Sequence, residues 1–480
     1  MKRNIFGVFC LFLVLSFLFL LNKKDRQLEF ALRFAENNRL ELEKVLKHYK
    51  NNPEKLEAAK FLIRNMPGSY AVDSMIEKRY TPFYLMYDSL SLIYNENFPK
   101  ERGLTIDSLW ENYGKNIGGH FSFNYTPDLN VINADQLIAE IELAFKSWKE
   151  NIYTRQCSFE EFCEYILPYR RKNGIILNSH RHEFYTRHAP FYFKKEDVDF
   201  RNETDSLLFN YKHIKHSQFY GSNIPIWSPN VLEKLKYGLC EQRCWYNSTL
   251  LSSIGMAVTI DCVPAWGNRN SSHSWNALIV KGETYPFEPF WDNDRWKYKH
   301  IYNNESFDHY WGRFRLPKVY RVTYSNNLDG PILDKNVSQN DIPSLFKNSK
   351  MKDVSSAYFK TSDVIVDLSG SIPEGCEYAY LCVFGYQQWH PVQWGRIKNG
   401  KALFKDMGRD IVYLPVFYVN GSIKYASLPF LLNSKGQIEM LKHSIGKQSI
   451  AVKNIAGARE HESNIQDMNS LSNAIFIGSS

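Results

Sequence analysis

The stretch from Tyr237 to Pro289, YGLCEQRCWYNSTLLSSIGMAVTIDCVPAWGNRNSSHSWNALIVKGETYPFEP, decides how the middle of the chain is read. Gly238 breaks the preceding segment, and a helix is expected from near Cys240 to Ser253, stopped by Gly255. AVTIDCVP alternates Val258, Ile260 and Cys262 with Thr259 and Asp261, the pattern of a strand. SWNALIV is apolar on both sides and reads as a central strand, and TYPFEP is a third strand after the Lys281-Gly282 turn. One helix followed by three strands is the expected core.

Within this stretch the side chains suit nucleophilic catalysis by a thiol. A thiol attacks a carbonyl as its thiolate and needs a base and a group that orients the base. At a helix start the unpaired N–H groups and the dipole favour a thiolate at Cys240 and can hold an oxyanion. Cys244 is one turn deeper, where the dipole effect has decayed, so a packing role is expected for it. His273 opens the central strand and can act as the base. Glu288, at the end of the next strand, can fix the ring tautomer across the hairpin. Asp292 and Asp294 are alternative orienting acids. Trp266, Asn268 and Arg269 are candidate substrate contacts beside His273, or a loop held by Asn turns. Trp275 shares the histidine's face and can shield the pair from water, or can be core.

Cys240, the glycine of GMAV fifteen residues on, HSW and the Glu-Pro pair resemble the core of the transglutaminase-like superfamily. That superfamily has the pattern G-x-C, a helix ending in a glycine, H-x-W and Asp-Pro. The resemblance covers about residues 228–290, and the flanking FLIRNMPGSY, FCEYILPYR and WGNRNSSHSWN also resemble large exported members of the Bacteroidetes type. It implies a papain-like fold and a triad in which Cys240 is the nucleophile, His273 the base and Glu288 the orienting acid. Glu288 departs from the usual aspartate. The implied chemistry is attack on amide bonds of peptides or glycoproteins through an acyl-enzyme, with hydrolysis or transamidation as outcome and no cofactor or metal. The alternative is a catalytically inactive scaffold that binds glycans or proteins at a surface.

Outside this core, Lys2 and Arg3 precede an uncharged apolar run from Ile5 to Leu21, so residues 1–22 read as a signal peptide or signal anchor. Export to the periplasm or cell surface follows, with membrane contact through that segment alone. Cys10 is rejected as a lipid-attachment site because Phe9 is bulky. The other seven cysteines are an odd number, which leaves at least one thiol free, and no CxxC pairing of zinc type is present. HRHEFYTRH carries His180, His182 and His188 without the carboxylate spacing of a facial metal site.

The fold class expected is α+β. Residues 25–150 read as an all-helical lead region: Pro53 stands at a first-turn position, and Met66-Pro67-Gly68 is a stop. Residues 151–317 read as the papain-like core, a helix on an antiparallel sheet. It includes a helix capped by Ser158 and Glu161 and ended by Pro168, after which Tyr169 and Arg170 are weak candidates for substrate anchoring. Residues 318–445 read as a β-sandwich, with Asn399-Gly400 and Asn420-Gly421 as hairpin turns, and 446–480 as a tail or incomplete β module. Trp389 and Trp394 are candidate sugar-stacking rings there, or sheet cover. A composition of 44% hydrophobic and 15% aromatic residues excludes a disordered chain. A net charge of +8 without a Lys/Arg cluster gives no nucleic-acid signature.

Overall fold

The computed structural model describes residues 25–94, 106–178, 180–216, 224–293, 295–296 and 314–441. The apolar N-terminal run, Asp294 and the tail lie outside them. Among the described residues no helix is long and apolar enough to cross a membrane. The fold mixes helices and sheets, as the composition of the segments implied.

The chain forms two compact units. The first takes the described residues up to Ile260 with Ser274–Arg295 and Thr323–Asn326. The second takes Asp261–His273, Trp296–Val322 and the described residues from Asn327 on.

The lead helices of the first unit are α1 (Arg39–His48), α2 (Pro53–Asn65), α3 (Met75–Tyr94), α4 (Ile106–Asn116) and α5 (Ala134–Glu150), and α2 and α5 start at side-chain caps. Asn52 accepts from the Lys55 N–H ahead of Pro53, and Asn133 and Gln136 cap α5 reciprocally. The lead region is not all helical. β1 (Tyr70–Val72) pairs with β2 (Tyr125–Pro127), because the stop at Met66-Pro67-Gly68, with Gly68 at φ +85°, releases an extended YAV segment. The Ser158–Glu161 capping box forms as expected and leads into one π turn, Phe162–Ile166.

The expected boundary at residue 150 does not separate the lead helices from the candidate core. Leu42, Leu62, Ile141, Trp148 and Phe162 share one apolar cluster with Ala257 and Ile279 of the following elements. Burial of one continuous surface merges what local patterning separates. Downstream come α6 (His180–His188), α7 (Phe200–Phe209), the parallel pair β3 (Lys215–His216) and β4 (Tyr237–Gly238), with α8 (Pro229–Leu235) between them, then α9 (Cys240–Ser253). Strands β5 (Val258–Val263), β6 (His273–Val280) and β7 (Glu283–Phe287) follow.

Strands β8 (Tyr320–Val322) and β9 (Met351–Asp353) come after the expected boundary at 317, yet they extend the same sheet in the order β7-β6-β5-β8-β9. Arg321 stands opposite Asp261 of β5. Its guanidinium meets that carboxylate through two bonds of 2.8 Å, and Tyr358 donates to it as well. The pair explains how an aspartate fits, fully buried, in an apolar strand.

The remaining strands, β10 (Thr361–Asp367), β11 (Tyr378–Gly385), β12 (Gln388–Lys398), β13 (Lys401–Gly408), β14 (Ile411–Val419), β15 (Ser422–Tyr425), β16 (Phe430–Leu432) and β17 (Ile438–Met440), were expected as a sandwich. They link into one nearly closed antiparallel sheet, β10-β13-β12-β11-β14-β16-β17, with β15 on β14. Asn399-Gly400 and Asn420-Gly421 form the expected two-residue turns, all four residues at positive φ. Such turns make β12–β13 and β14–β15 neighbours in one ladder. Irregularities at Ser362/Val364 and Leu381/Cys382 bend the sheet around a core that includes Val364, Phe404, Tyr413 and Phe417.

Candidate functional site

Cys240 is the first residue of α9. Three local features set it there. Lys236, at φ +61°, ends α8 in a left-handed turn. Gly238 passes so close to Leu232 and Gln242 that a Cβ would stand 2.9 Å from the leucine side chain. The Gln242 side chain reaches back to accept the Leu239 N–H at 2.9 Å, which starts the helix. Cys240 is half-buried, whereas Cys244 one turn on is fully buried, the packing role expected of it. Gly255 ends the helix at φ +82°, and a Cβ on it would stand 2.1 Å from the Ser147 carbonyl oxygen. No L-residue with a side chain fits both conditions.

β6 and β7 pair from Asn276↔Phe287 to Val280↔Glu283. Glu288 follows β7 immediately and is half-buried. Continuing the register by one residue sets it opposite Trp275, and opposed residues of an antiparallel pair share a face. His273 opens β6, is half-buried, and by alternation lies on the Trp275 face of that strand. Trp275 itself is fully buried, which is the core position foreseen as its other role.

In the second unit, Trp266 is buried with its ring nearly parallel to that of His273, centroids 6.3 Å apart, and 4.9 Å from the Phe314 ring. Arg269 stacks its guanidinium 3.8 Å from the centre of Phe314. Asn268 accepts the Arg315 N–H at 3.0 Å through its side chain. Asn270 accepts the N–H of Tyr386 at the β11–β12 turn. Trp266 is thus brought to His273, while Asn268 and Arg269 hold the loop.

A buried polar network in the first unit escaped sequence reading. Asn247 donates to the Asn276 side-chain oxygen at 3.0 Å and to the Pro289 carbonyl at 2.8 Å. Asn276 donates to the carbonyls of Cys244 and Thr259, both at 3.0 Å, so one amide ties α9, β5 and β6. Arg243 donates to Pro289 O at 3.2 Å. Arg295 donates to Glu288 O at 3.3 and 3.2 Å and pairs with Asp205 at 3.4 Å. The main chain that follows the Glu288 side chain, at the carbonyls of Glu288 and Pro289, is therefore clamped by two guanidiniums and an amide. Burial lowers the pKa of Arg243 and of Arg295 to about 10, which leaves both charged at neutral pH. The signal in the sequence was Asn276, a lone amide inside the apolar run SWNALIV.

Tyr169 and Arg170 are committed to structure: Arg170 grips the buried Asp128 through both carboxylate oxygens, and Tyr169 donates to the same group at 2.9 Å. Among the described residues no cluster of His, Cys, Asp and Glu has the geometry to hold a metal. His188 meets the Tyr211 hydroxyl at 2.6 Å. His180 is buried and neither ring nitrogen is hydrogen-bonded. Burial and, secondarily, the charge of Arg170 lower its pKa from the usual 6.5 to about 3. The folded state then refuses a proton that the unfolded chain accepts, so stability is full above pH 6.5 and falls as pH drops below it. From pH 7 to pH 5 this one group should cost about 2 kcal/mol. Urea unfolding at the two pH values should show it, and His180→Asn should remove that share of the slope.

The seven described cysteines form no disulfide. Burial pushes the Cys157 thiol up to about 11 and raises those of Cys163, Cys376 and Cys382. These four are poor nucleophiles at neutral pH.

Compared with known proteins, the chain matches no family model, no curated protein and no solved structure.

Proposed function

We propose that the protein is a thiol enzyme of transglutaminase-like type that acts outside the cytoplasm on amide bonds of peptides or glycoproteins. Cys240 attacks the carbonyl carbon, and His273 takes the thiol proton and returns it to the departing amine. Glu288 orients the imidazole and stabilises its charged form. The thioester-linked acyl group then passes to water, which makes the net reaction a hydrolysis. The observation that carries this reading is the position of Cys240 as the first residue of a helix packed on β5 and β6, where the positive end of the helix dipole favours both a thiolate and an oxyanion. The clamped main chain at Glu288 supports the third role. Export rests on the apolar run Ile5–Leu21 behind Lys2 and Arg3.

The test is alkylation by iodoacetamide between pH 6 and 8, followed cysteine by cysteine by mass spectrometry. Cys240 should react at least tenfold faster than Cys157 or Cys376, and His273→Ala should slow it at least tenfold. Cys240 reacting no faster than those two, or indifferent to His273, would refute the enzyme.

A further inference from the structure

The second unit contains a cavity of about 340 Å³ in front of β8, β9 and β12, with Trp394 as one wall. The size suits one or two sugar rings. We propose that this cavity is a binding site for an uncharged oligosaccharide, with the Trp394 indole as its stacking surface.

The site is built rather than incidental. Gly330, at φ +78°, lets its turn lie directly on the indole: a Cβ there would stand 2.8 Å from Trp394 Cε2. Tyr378 meets the same ring edge-on at 5.7 Å. The ring is therefore fixed in orientation while still lining the cavity. Gln393, buried next to it, is held by the Lys405 carbonyl at 3.1 Å. Lys318 is fully buried behind the cavity, where it pairs with Asp353 and donates to the carbonyls of Lys405 and Asp406 at 3.0 and 2.8 Å.

Charge selects the ligand class. Asp329, Asp353 and Asp406 on the lining are balanced by Lys352 and Lys405 together with Lys318. With no surplus cation the cavity offers nothing to a phosphate or a uronate, and with so many polar groups it offers little to a lipid. Carboxylates, amides and ammonium groups around an aromatic ring match the alternating hydroxyls and C–H face of a neutral sugar. The inference does not rest on the thiol chemistry.

The full chain should be titrated calorimetrically with chitotriose, mannotriose and laminaritriose, and with trigalacturonate as the charged comparison. At least one neutral trisaccharide should bind with Kd at or below about 1 mM. Trp394→Ala should weaken it at least tenfold. Asp329→Asn, at an exposed rim position, should weaken it at least threefold with the fold intact. Cys240→Ala should bind like the parent. Absence of binding by all three neutral sugars at 10 mM, tighter binding of trigalacturonate, or unchanged affinity in Asp329→Asn would overturn the assignment.

Discussion

Arg295→Met is expected to lower the unfolding free energy by about 3–5 kcal/mol, because it deletes the buried partner of an ion pair together with a donor to two carbonyls. Arg295 is fully buried, and its guanidinium serves Asp205 and the carbonyls of Glu288 and Pro289 together. Methionine fills much of the volume against Phe287 and Trp291 but removes the hydrogen bonds that the guanidinium gives to Asp205 and the Glu288 carbonyl, while Pro289 O keeps Arg243 and Asn247. Arg295→Lys keeps a charge and loses the planar fork, so a smaller loss of about 1–3 kcal/mol is expected. Urea unfolding measures both. On the proposed chemistry the same loss loosens the main chain that presents Glu288, and Cys240 alkylation in Arg295→Lys should slow several-fold more than that of Cys262. Two variants within 0.5 kcal/mol of the parent would show that the clamp does not hold the segment.

Asp261→Ala should destabilise the protein by a similar amount, about 3–5 kcal/mol, because it removes the carboxylate that answers the Arg321 guanidinium in a site that is 5% exposed. Arg321→Met should cost as much by removing the charge partner of the Asp261 carboxylate, which is fully buried and keeps the Tyr358 hydroxyl. The double variant Asp261→Val, Arg321→Met removes both charges at once. It should lose at least 2 kcal/mol less than the sum of the singles, since apolar replacement of a whole buried pair is often nearly neutral. Additive losses in the double-mutant cycle would mean that the two groups act independently, contrary to their 2.8 Å bidentate contact.

The candidate site was largely legible where its signals are local. The helix beginning at Cys240, its stop at Gly255, the three strands after it and the two Asn-Gly turns all follow from spacing over a few residues. Caps at Asn52, Asn133 and Ser158 belong to the same class: each is a side chain meeting an N–H three residues on. The misreadings concern longer range. The segment YAV could not announce β2 more than fifty residues away, and nothing near Tyr320 marks it as a partner of Cys262. The sandwich was expected from strand count and turns, and those signals are the same for one curled sheet.

What the sequence alone determined is therefore the elements with strong local signals, the helix from Cys240, the strands after it and the Asn-Gly turns, and the face each side chain occupies along them. That information sits in periodicity, caps and positive-φ residues, interactions that span four residues or fewer. Only the tertiary structure decided that Arg243 and Arg295 converge on the carbonyls around Glu288, that Asp261 is answered by Arg321, and that a cavity opens beside Trp394. Buried charges and cavities are set by which distant surfaces meet. That choice belongs to the packing of the whole core, and no short window of sequence records it.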